Sequence, residues 1–451
     1  MYVTPPPSQH EIIAGIDPER LPGLFTDASA FVAGSATEYL HWDELRHLEP
    51  PAGLTLQEWW LALKLARRSG QRTLPLTDTS GLHFTFTLPD ELLRLLHVVD
   101  QRCSGEIAMP EVVTADSQAR QHYLVNSLME EAIRSSQLEG ATTSRRVAKE
   151  LLSSGRLPRD RGERMISNNY IAMRFMRESM GDELTPAAVL ELHRILTEGT
   201  LDDPDASGRL QRPDEDRVAV VDREDGAILH RPPPAEQLPD RLQAMCDFAN
   251  ARGDGDRFIH PVVRGVLLHF WLAYDHPFED ANGRVARVLF FWYLRTHGYW
   301  LVEYLSISKI LREAPGQYTR SFLLTETDDR DTTYFLLHQL HVVERAIEQL
   351  HRYLQRKVSD VRSVERLIRG SSGFNHRQLA LLSDALRKGD RVYTFGGHAA
   401  SHGVTHETAR TDLRDLAHRG VLDVRRAGRQ YRFLAPPDLA DRLKALGEPG
   451  T

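Results

Sequence analysis

Cysteine is nearly missing from this chain: Cys103 and Cys246 are the only two in 451 residues. Two isolated thiols exclude a disulfide framework and a thiolate zinc site, and they point to a reducing compartment. A membrane-length apolar run is missing too, because the stretch from Val288 to Val302 is broken by Arg295 and His297. The opening, Met1-Tyr2-Val3-Thr4-Pro5-Pro6-Pro7, lacks the basic-then-apolar order of a secretory leader. These absences predict a cytoplasmic protein with no membrane partner. The 20 histidines include no His-Glu-x-x-His or similar ligand pair, so a zinc-peptidase type of centre is excluded. No internal repeat stands out. The composition, 41% hydrophobic and 26% charged, is that of a soluble globular protein, and the length suggests two or three domains.

What the chain does have is concentrated in His276-Pro277-Phe278-Glu279-Asp280-Ala281-Asn282-Gly283-Arg284-Val285-Ala286-Arg287. An imidazole, a carboxylate, an Asn-Gly turn and two arginines share one loop and one helical turn. The imidazole can take a proton near neutrality, and the carboxylate can hold Mg²⁺. Backbone N–H groups and guanidinium forks can hold phosphate oxygens. Upstream, Val262 to Tyr274 carries apolar residues at helical spacing until Pro277 breaks the run. Downstream, Val285, Val288, Leu289, Trp292 and Tyr293 resume the stripe, which ends at His297-Gly298. The loop is therefore expected to empty onto a helix N-terminus, where unpaired N–H groups and the helix dipole favour an anion. Phosphoryl-type transfer suits such a site, since it needs in-line positioning and neutralised charge more than covalent help.

This stretch resembles the signature of the Fic family, His-Pro-Phe-x-(Asp/Glu)-(Gly/Ala)-Asn-Gly-Arg-x-x-Arg. Every fixed position is met, by His276, Pro277, Phe278, Asp280, Ala281, Asn282, Gly283, Arg284 and Arg287. The resemblance implies a mainly α fold, a Fic-type helical core with a small β-hairpin flap. It implies a protein adenylyltransferase (AMPylase) that moves AMP from ATP to a Ser, Thr or Tyr hydroxyl of a protein. By the same resemblance His276 would be the general base, and Asp280 would hold Mg²⁺ bridging the α- and β-phosphates. Asn282 and the amides around Gly283 would cradle phosphate oxygens, while Arg284 and Arg287 would take the β- and γ-phosphates. Ala281, Val285 and Ala286 belong to the same nucleotide-binding stretch. Glycine at 283 lets the backbone approach the nucleotide. Some relatives with Lys there act as phosphotransferases, so Gly283 favours transfer of AMP over phosphate.

A second motif lies far upstream. Gln118 to Glu139 shows a helical stripe of Leu124, Leu128, Ala132, Ser135 and Leu138, and Gly140 suits the C-cap. Ser135, Glu139 and Gly140 resemble the Fic inhibitory helix, (Ser/Thr)-x-x-x-Glu-(Gly/Asn). The resemblance implies autoinhibition: Glu139 takes Arg287 and the place that the γ-phosphate needs, two anions competing for one guanidinium fork. In some relatives this Glu also supports removal of AMP. Between the motifs, Val218-Ala219-Val220-Val221 and Ile228-Leu229-His230 flank an Asp225-Gly226 turn and read as a hairpin. Its position in the family makes Val218 to Val221 a flap over the active site. Asn168, Asn169 and His193 lie on apolar helical stretches and read equally as satisfied core groups. Past the signature, Tyr318 and Asp331-Thr332-Thr333 resemble a helix that contacts adenine, and Glu326 stands where many relatives have Asn.

The end of the chain differs in charge. Val361 to Ala435 holds fourteen Arg and Lys against seven Asp and Glu, about +7 within a chain of formal charge −7. Helical stretches at 376–386, 395–401 and 405–418 precede a hairpin from Val421 to Leu434 that turns at Gly428. That order resembles a winged helix-turn-helix. Thr405 would cap a recognition helix carrying His406, Thr408, Arg410, Thr411 and Arg414, with DNA as one partner and protein contacts or dimerisation as the rival. The expected organisation is an N-terminal extension, 1–110, packing on the core; a Fic core, 111–350, with the inhibitory helix at about 118–140; and a winged helix, 355–437. The resemblance also implies a homodimer and self-modification. Two alternatives stay open: a Fic-core phosphotransferase or other nucleotide transferase, and a DNA-binding regulator whose Fic core senses ATP.

Overall fold

The structure, a computed structural model, describes residues 2–26, 38–104, 117–222, 226–252, 258–370, 373–388, 392–427 and 430–447. The chain divides into two units, Met1–Leu350 and His351–Thr451.

Six helices frame the site-bearing part of the first unit: α1 (Ser117–Leu138), α2 (Arg161–Glu178), α3 (Pro186–Thr197), α4 (Pro261–Asp275), α5 (Asn282–Thr296) and α6 (Pro315–Thr327). The centre is α4 against α5. Almost every side chain on both is buried, from Val262 to Leu272 and from Arg284 to Leu294, as a helix that is apolar nearly all round requires. His260 opens α4 by accepting the Val262 N–H at 3.3 Å, with Pro261 at the first helical position. Asp160 and Thr185 cap α2 and α3 by accepting first-turn N–H groups. The end of α1 follows from Gly140, whose φ of +105° lets the Ala141 N–H return to the Ser136 carbonyl at 3.0 Å.

The N-terminal region packs on this core. Strand β1 (Arg72–Thr77) pairs antiparallel with β2 (His83–Phe86). Phe84 lies against Phe270 and Tyr274 of α4, with rings 5.3 and 4.9 Å apart. The Thr332 N–H donates to the Thr85 carbonyl at 2.8 Å, and Asp331 accepts from the hydroxyls of Tyr39 and Thr333. Asp331-Thr332-Thr333, expected beside adenine, therefore fastens β2 in a buried seam whose carbonyls and hydroxyls need partners. Lys64 and Asp328 add an ion pair at 2.7 Å in the same region.

The flap is shorter than the sequence suggests. Strand β3 is only Val220–Val221, paired antiparallel and with a shifted register to β4 (Ile228–His230). Val218 and Ala219 lie outside the strand, because Arg217 is drawn down to the carbonyls of Pro233, Asp275 and His276. Asp225 of the expected turn lies outside the described residues.

The second unit holds α7 (His376–Lys388), α8 (Phe395–His402) and α9 (His406–His418). Its three-stranded antiparallel sheet is ordered β5-β7-β6, from β5 (Val392–Tyr393), β6 (Asp423–Ala427) and β7 (Gln430–Leu434). Leu381, Leu382, Leu413, Leu416, Val421 and Phe433 form its core. Thr394 and Thr405 cap α8 and α9. The sequence reading missed β5, since two residues are too few for an alternation to register. Gly428 lies outside the described residues. Among the described residues no helix is long and apolar enough to cross a membrane.

Candidate active site

Helix α4 ends at His276, which turns left-handed (φ 45°, ψ 52°), and Ala281 does the same (φ 69°) just before α5. Non-glycine residues in that region cost on the order of 1 kcal/mol or more each, so the surroundings must hold them. They do. The Phe278 N–H donates to Asn282 Oδ1 at 3.0 Å, and Asn282 Nδ2 donates to the Phe278 carbonyl at 2.8 Å, closing the loop on itself. The same Nδ2 lies 3.2 Å from His276 Nδ1 and holds the ring. The Gln211 N–H donates to the Pro277 carbonyl at 2.9 Å, and Arg217 donates to the carbonyls of Asp275 and His276 at 2.8 and 3.1 Å. His193 stacks on Phe278, with rings 3.9 Å apart. Its Nδ1 accepts the Gly208 N–H at 3.0 Å, which leaves the Nε2–H to donate to the Asp280 carbonyl at 3.2 Å. Beneath the loop, buried Asp275 is gripped by Arg241 at 2.6 Å and the Trp271 indole at 3.0 Å.

Gln211, Arg217 and Arg241 were not foreseen as site residues, and His193 was read equally as a satisfied core group or a catalytic one. Three of the four act on backbone carbonyls from distant segments, which leaves no local pattern to read. Asn168 and Asn169 are satisfied inside the core, Asn168 by the Glu198 carbonyl at 2.8 Å and Asn169 by Ser136 Oγ at 3.3 Å.

Burial pushes the His276 pKa down to about 4, helped by the charges of His230 and Arg217. The imidazole is therefore neutral around pH 7, with a lone pair to offer. His230, on β4, meets Glu326 of α6 at 2.9 Å and the Tyr274 carbonyl at 2.7 Å. Burial works to lower its pKa, but the Glu326 carboxylate overcomes this and leaves it raised.

The N-terminus of α5 has no side-chain cap, since Ala281 stands at that position. Glu139, just past the end of α1, reaches it instead. Its Oε1 lies 2.7 Å from Arg287 Nη2, while Arg287 Nε donates to Ser135 Oγ at 2.9 Å. Among the described residues Arg287 Nη1 is buried without a hydrogen-bond partner. A Cβ on Gly283 would collide with Glu139 Oε1 and press on Arg287 Nη1 at 3.0 Å. Glycine at 283 is thus what lets a carboxylate lie across the first turn. Ser136 donates to the Met165 carbonyl at 3.2 Å, tying the end of α1 to α2.

Arg284 is fully buried. It spends its fork on Asp280 at 3.0 Å and the Leu196 carbonyl at 3.1 Å, and its Nε has no partner. Asp280 is one-third exposed and also stands 3.7 Å from Arg161. Val285 and Ala286 are buried in the helix core and contribute backbone alone.

Glu139, Gly283 and His276 line one pocket of about 180 Å³, whose other walls include Val220 and His230 of the flap and Tyr318, Phe322 and Glu326 of α6. Val218, Ala219 and Val221 do not line it. Tyr318 does, although its hydroxyl is 2.8 Å from His269 Nε2, a bond within the wall. Among the described residues no group of three or more His, Cys, Asp or Glu could hold a metal; the loop itself offers the carboxylates of Glu279 and Asp280.

Part of this chain is similar to known proteins. Residues 183–294 match the model of the Fic/DOC family. A protein from Nematostella vectensis named protein adenylyltransferase Fic is 38% identical over 60 residues, 13% of this chain and 14% of that protein. Its namesake from Drosophila willistoni is 31% identical over 131 residues, 29% of this chain and 24% of that protein. This chain therefore spans a quarter or less of the length of these two curated relatives. A solved Fic family protein from Desulfovibrio desulfuricans G20 superposes with a TM-score of 0.55 at 17% identity, over 77% of this chain and 97% of that one. The chain carries a Fic/DOC domain at residues 183–294, and its fold is similar to that of a solved Fic family protein.

Proposed function

We propose that this Fic/DOC-domain protein is a protein adenylyltransferase, held in check by its own Glu139. One observation carries the reading: His276, Gly283 and the Arg287-bound Glu139 face a single pocket. A serine, threonine or tyrosine oxygen of the protein substrate attacks the α-phosphorus of ATP. The bond from that phosphorus to the β-phosphate oxygen breaks, pyrophosphate leaves, and the hydroxyl proton passes to His276. The lowered pKa of His276 keeps it ready to accept. The uncapped N–H groups of α5 and the bare backbone at Gly283 receive phosphate oxygens. Arg287, with one buried amino group unpartnered, takes the terminal phosphate once Glu139 withdraws. Arg284 orients the Asp280 carboxylate, a donor that suits Mg²⁺, which when bound would neutralise phosphate charge. The alternating helices and hairpin of the second unit support reading it as a winged helix, and the two buried thiols suit a reducing cytoplasm.

The test uses Glu139→Gly protein with ATP labelled at the α- or the γ-phosphorus, followed by intact mass. Retained α-label and a gain of one AMP unit are expected, and His276→Ala should cut incorporation by about 10²- to 10⁴-fold. Retained γ-label with a gain of one phosphate would replace this reading by the phosphotransferase.

A further inference from the structure

We propose that the face made by α9 and the β6–β7 hairpin binds double-stranded DNA. The first ground is an imbalance that the unit does not settle internally. Every carboxylate on α9 and the described hairpin already has a cation. Asp412 is held by Arg377 at 2.7 Å, Asp415 by Arg419 at 3.0 Å, Asp423 by Arg442 at 3.3 Å, and Glu407 by Arg410 at 3.7 Å. Arg414, Arg425, Arg426 and Arg432 are all exposed, and among the described residues none of them meets a carboxylate.

The second ground is the register. Arg425 stands directly opposite Arg432 across the hairpin, and Arg426 opposite Tyr431. Like charges facing each other on neighbouring strands destabilise a sheet. The one acid of the described hairpin, Asp423, is taken by Arg442, so this repulsion is not offset by a paired carboxylate, and a polyanion would relieve it. Because side chains alternate along a strand, Arg425 and Arg432 lie on one face of the hairpin and Arg426 on the other. Cations on both faces suit a groove with phosphates on both walls, and an acidic peptide would engage one face alone.

The third ground joins hairpin to helix. The guanidinium of Arg414 lies 5.9 Å from the centre of the Tyr431 ring, and that of Arg426 lies 6.0 Å from it. Phe395 bridges the Tyr431 ring to that of His406 at the start of α9. One exposed helix and one basic hairpin are thus locked side by side. Thr405 caps the helix, and its outer positions offer His406 and Thr411 as hydrogen-bonding groups. An α-helix of ordinary width fits the major groove, where such side chains reach base edges.

The experiment follows fluorescence anisotropy of a short labelled duplex of mixed sequence, titrated with the full chain at several salt concentrations. Four to five phosphate contacts predict that log K falls with log salt at a slope of about −4. The triple variant Arg425→Gln/Arg426→Gln/Arg432→Gln should flatten that slope by about 3 and weaken binding at least roughly tenfold at moderate salt. Arg174→Gln/Arg194→Gln, on the first unit, should change neither. Circular dichroism and ATP labelling confirm that each variant is folded. The proposal is independent of AMP transfer: His276→Ala should bind the duplex with an unchanged slope. No binding at low salt overturns it, as does a slope that survives the triple variant. Equal competition by single-stranded RNA or by polyglutamate also overturns it. A triple variant that alters oligomeric state by light scattering, with the DNA slope intact, would assign the face to contacts between copies of this chain.

Discussion

Arginine is used in opposite ways in the two units of this protein. Around the signature loop, Arg284 and Arg287 are buried, each facing a carboxylate of the same chain, Asp280 at 3.0 Å and Glu139 at 2.7 Å. On the C-terminal face, Arg414, Arg425, Arg426 and Arg432 are exposed, and among the described residues they face none. The difference decides what an incoming anion must do. At Arg287 it has to displace Glu139, already seated, so removing that carboxylate should produce a gain. At the hairpin it meets cations that only repel one another, so removing them should produce a loss. Burial also sets the salt response, since a buried pair is screened far less than an exposed one.

The comparison breaks first at Glu139. Glu139→Gly removes a charge-assisted hydrogen bond worth about 1.5–3 kcal/mol from the closed state, so AMP incorporation should rise roughly tenfold to a hundredfold. The gain should change little between low and moderate salt, in contrast to duplex binding at the hairpin. A rate that stays flat after the substitution would mean that the Arg287 pairing is structural only.

A smaller effect, in pH, sharpens the buried side of the contrast. His276 has its pKa lowered from 6.5 to about 4 by burial first and neighbouring charge second. A lowered pKa keeps the base form populated down to that value, so the acid limb of kcat/KM should lie below pH 5. A limb centred near 6.5 would mean that the base is a solvated histidine. His230 has its pKa raised, so an inflection on the neutral side of 6.5 belongs to it. Glu326→Gln removes the group holding it up, and that inflection should move to lower pH.

Both motifs were legible from the chain because their chemistry is packed into consecutive residues. His276 to Arg287 forms one loop and one helical turn, and Ser135, Glu139 and Gly140 follow helical spacing to a glycine cap. The pairing of Glu139 with Arg287 came from resemblance, since no local rule joins residues so far apart in sequence. What supports the loop was hidden for a physical reason. Arg217, Gln211 and His193 act on main-chain carbonyls and a phenyl face, and any segment that folds nearby could supply such groups. Asp331-Thr332-Thr333 hold a buried strand, a role that the sequence did not signal because hydroxyls and a carboxylate serve a strand as well as a base. Val218 and Ala219 failed as strand because the pull of Arg217 on the loop outweighs a β-prone composition. In the second unit, helix spacing and alternation were enough for α7, α8, α9 and the hairpin, while the two-residue strand β5 and the helix Leu439–Gly447 were missed.

Ser135 carries the finest prediction, because it touches Arg287 without competing for the phosphate site. Its Oγ accepts from Arg287 Nε at 2.9 Å, and its carbonyl accepts from Nη2 at 3.3 Å. Ser135→Ala deletes only the first bond, worth about 1 kcal/mol, or roughly fivefold. If the bond chiefly holds Arg287 against Glu139, the substitution should raise AMP incorporation by about that factor in the parent. It should then add nothing in the Glu139→Gly protein, where the closed state is already lost. If instead Ser135 aims Arg287 at the terminal phosphate, both backgrounds should slow and the KM for ATP should rise in each. Non-additive gain against uniform loss separates the two, because a double-mutant cycle reads only what Ser135 and Glu139 do together.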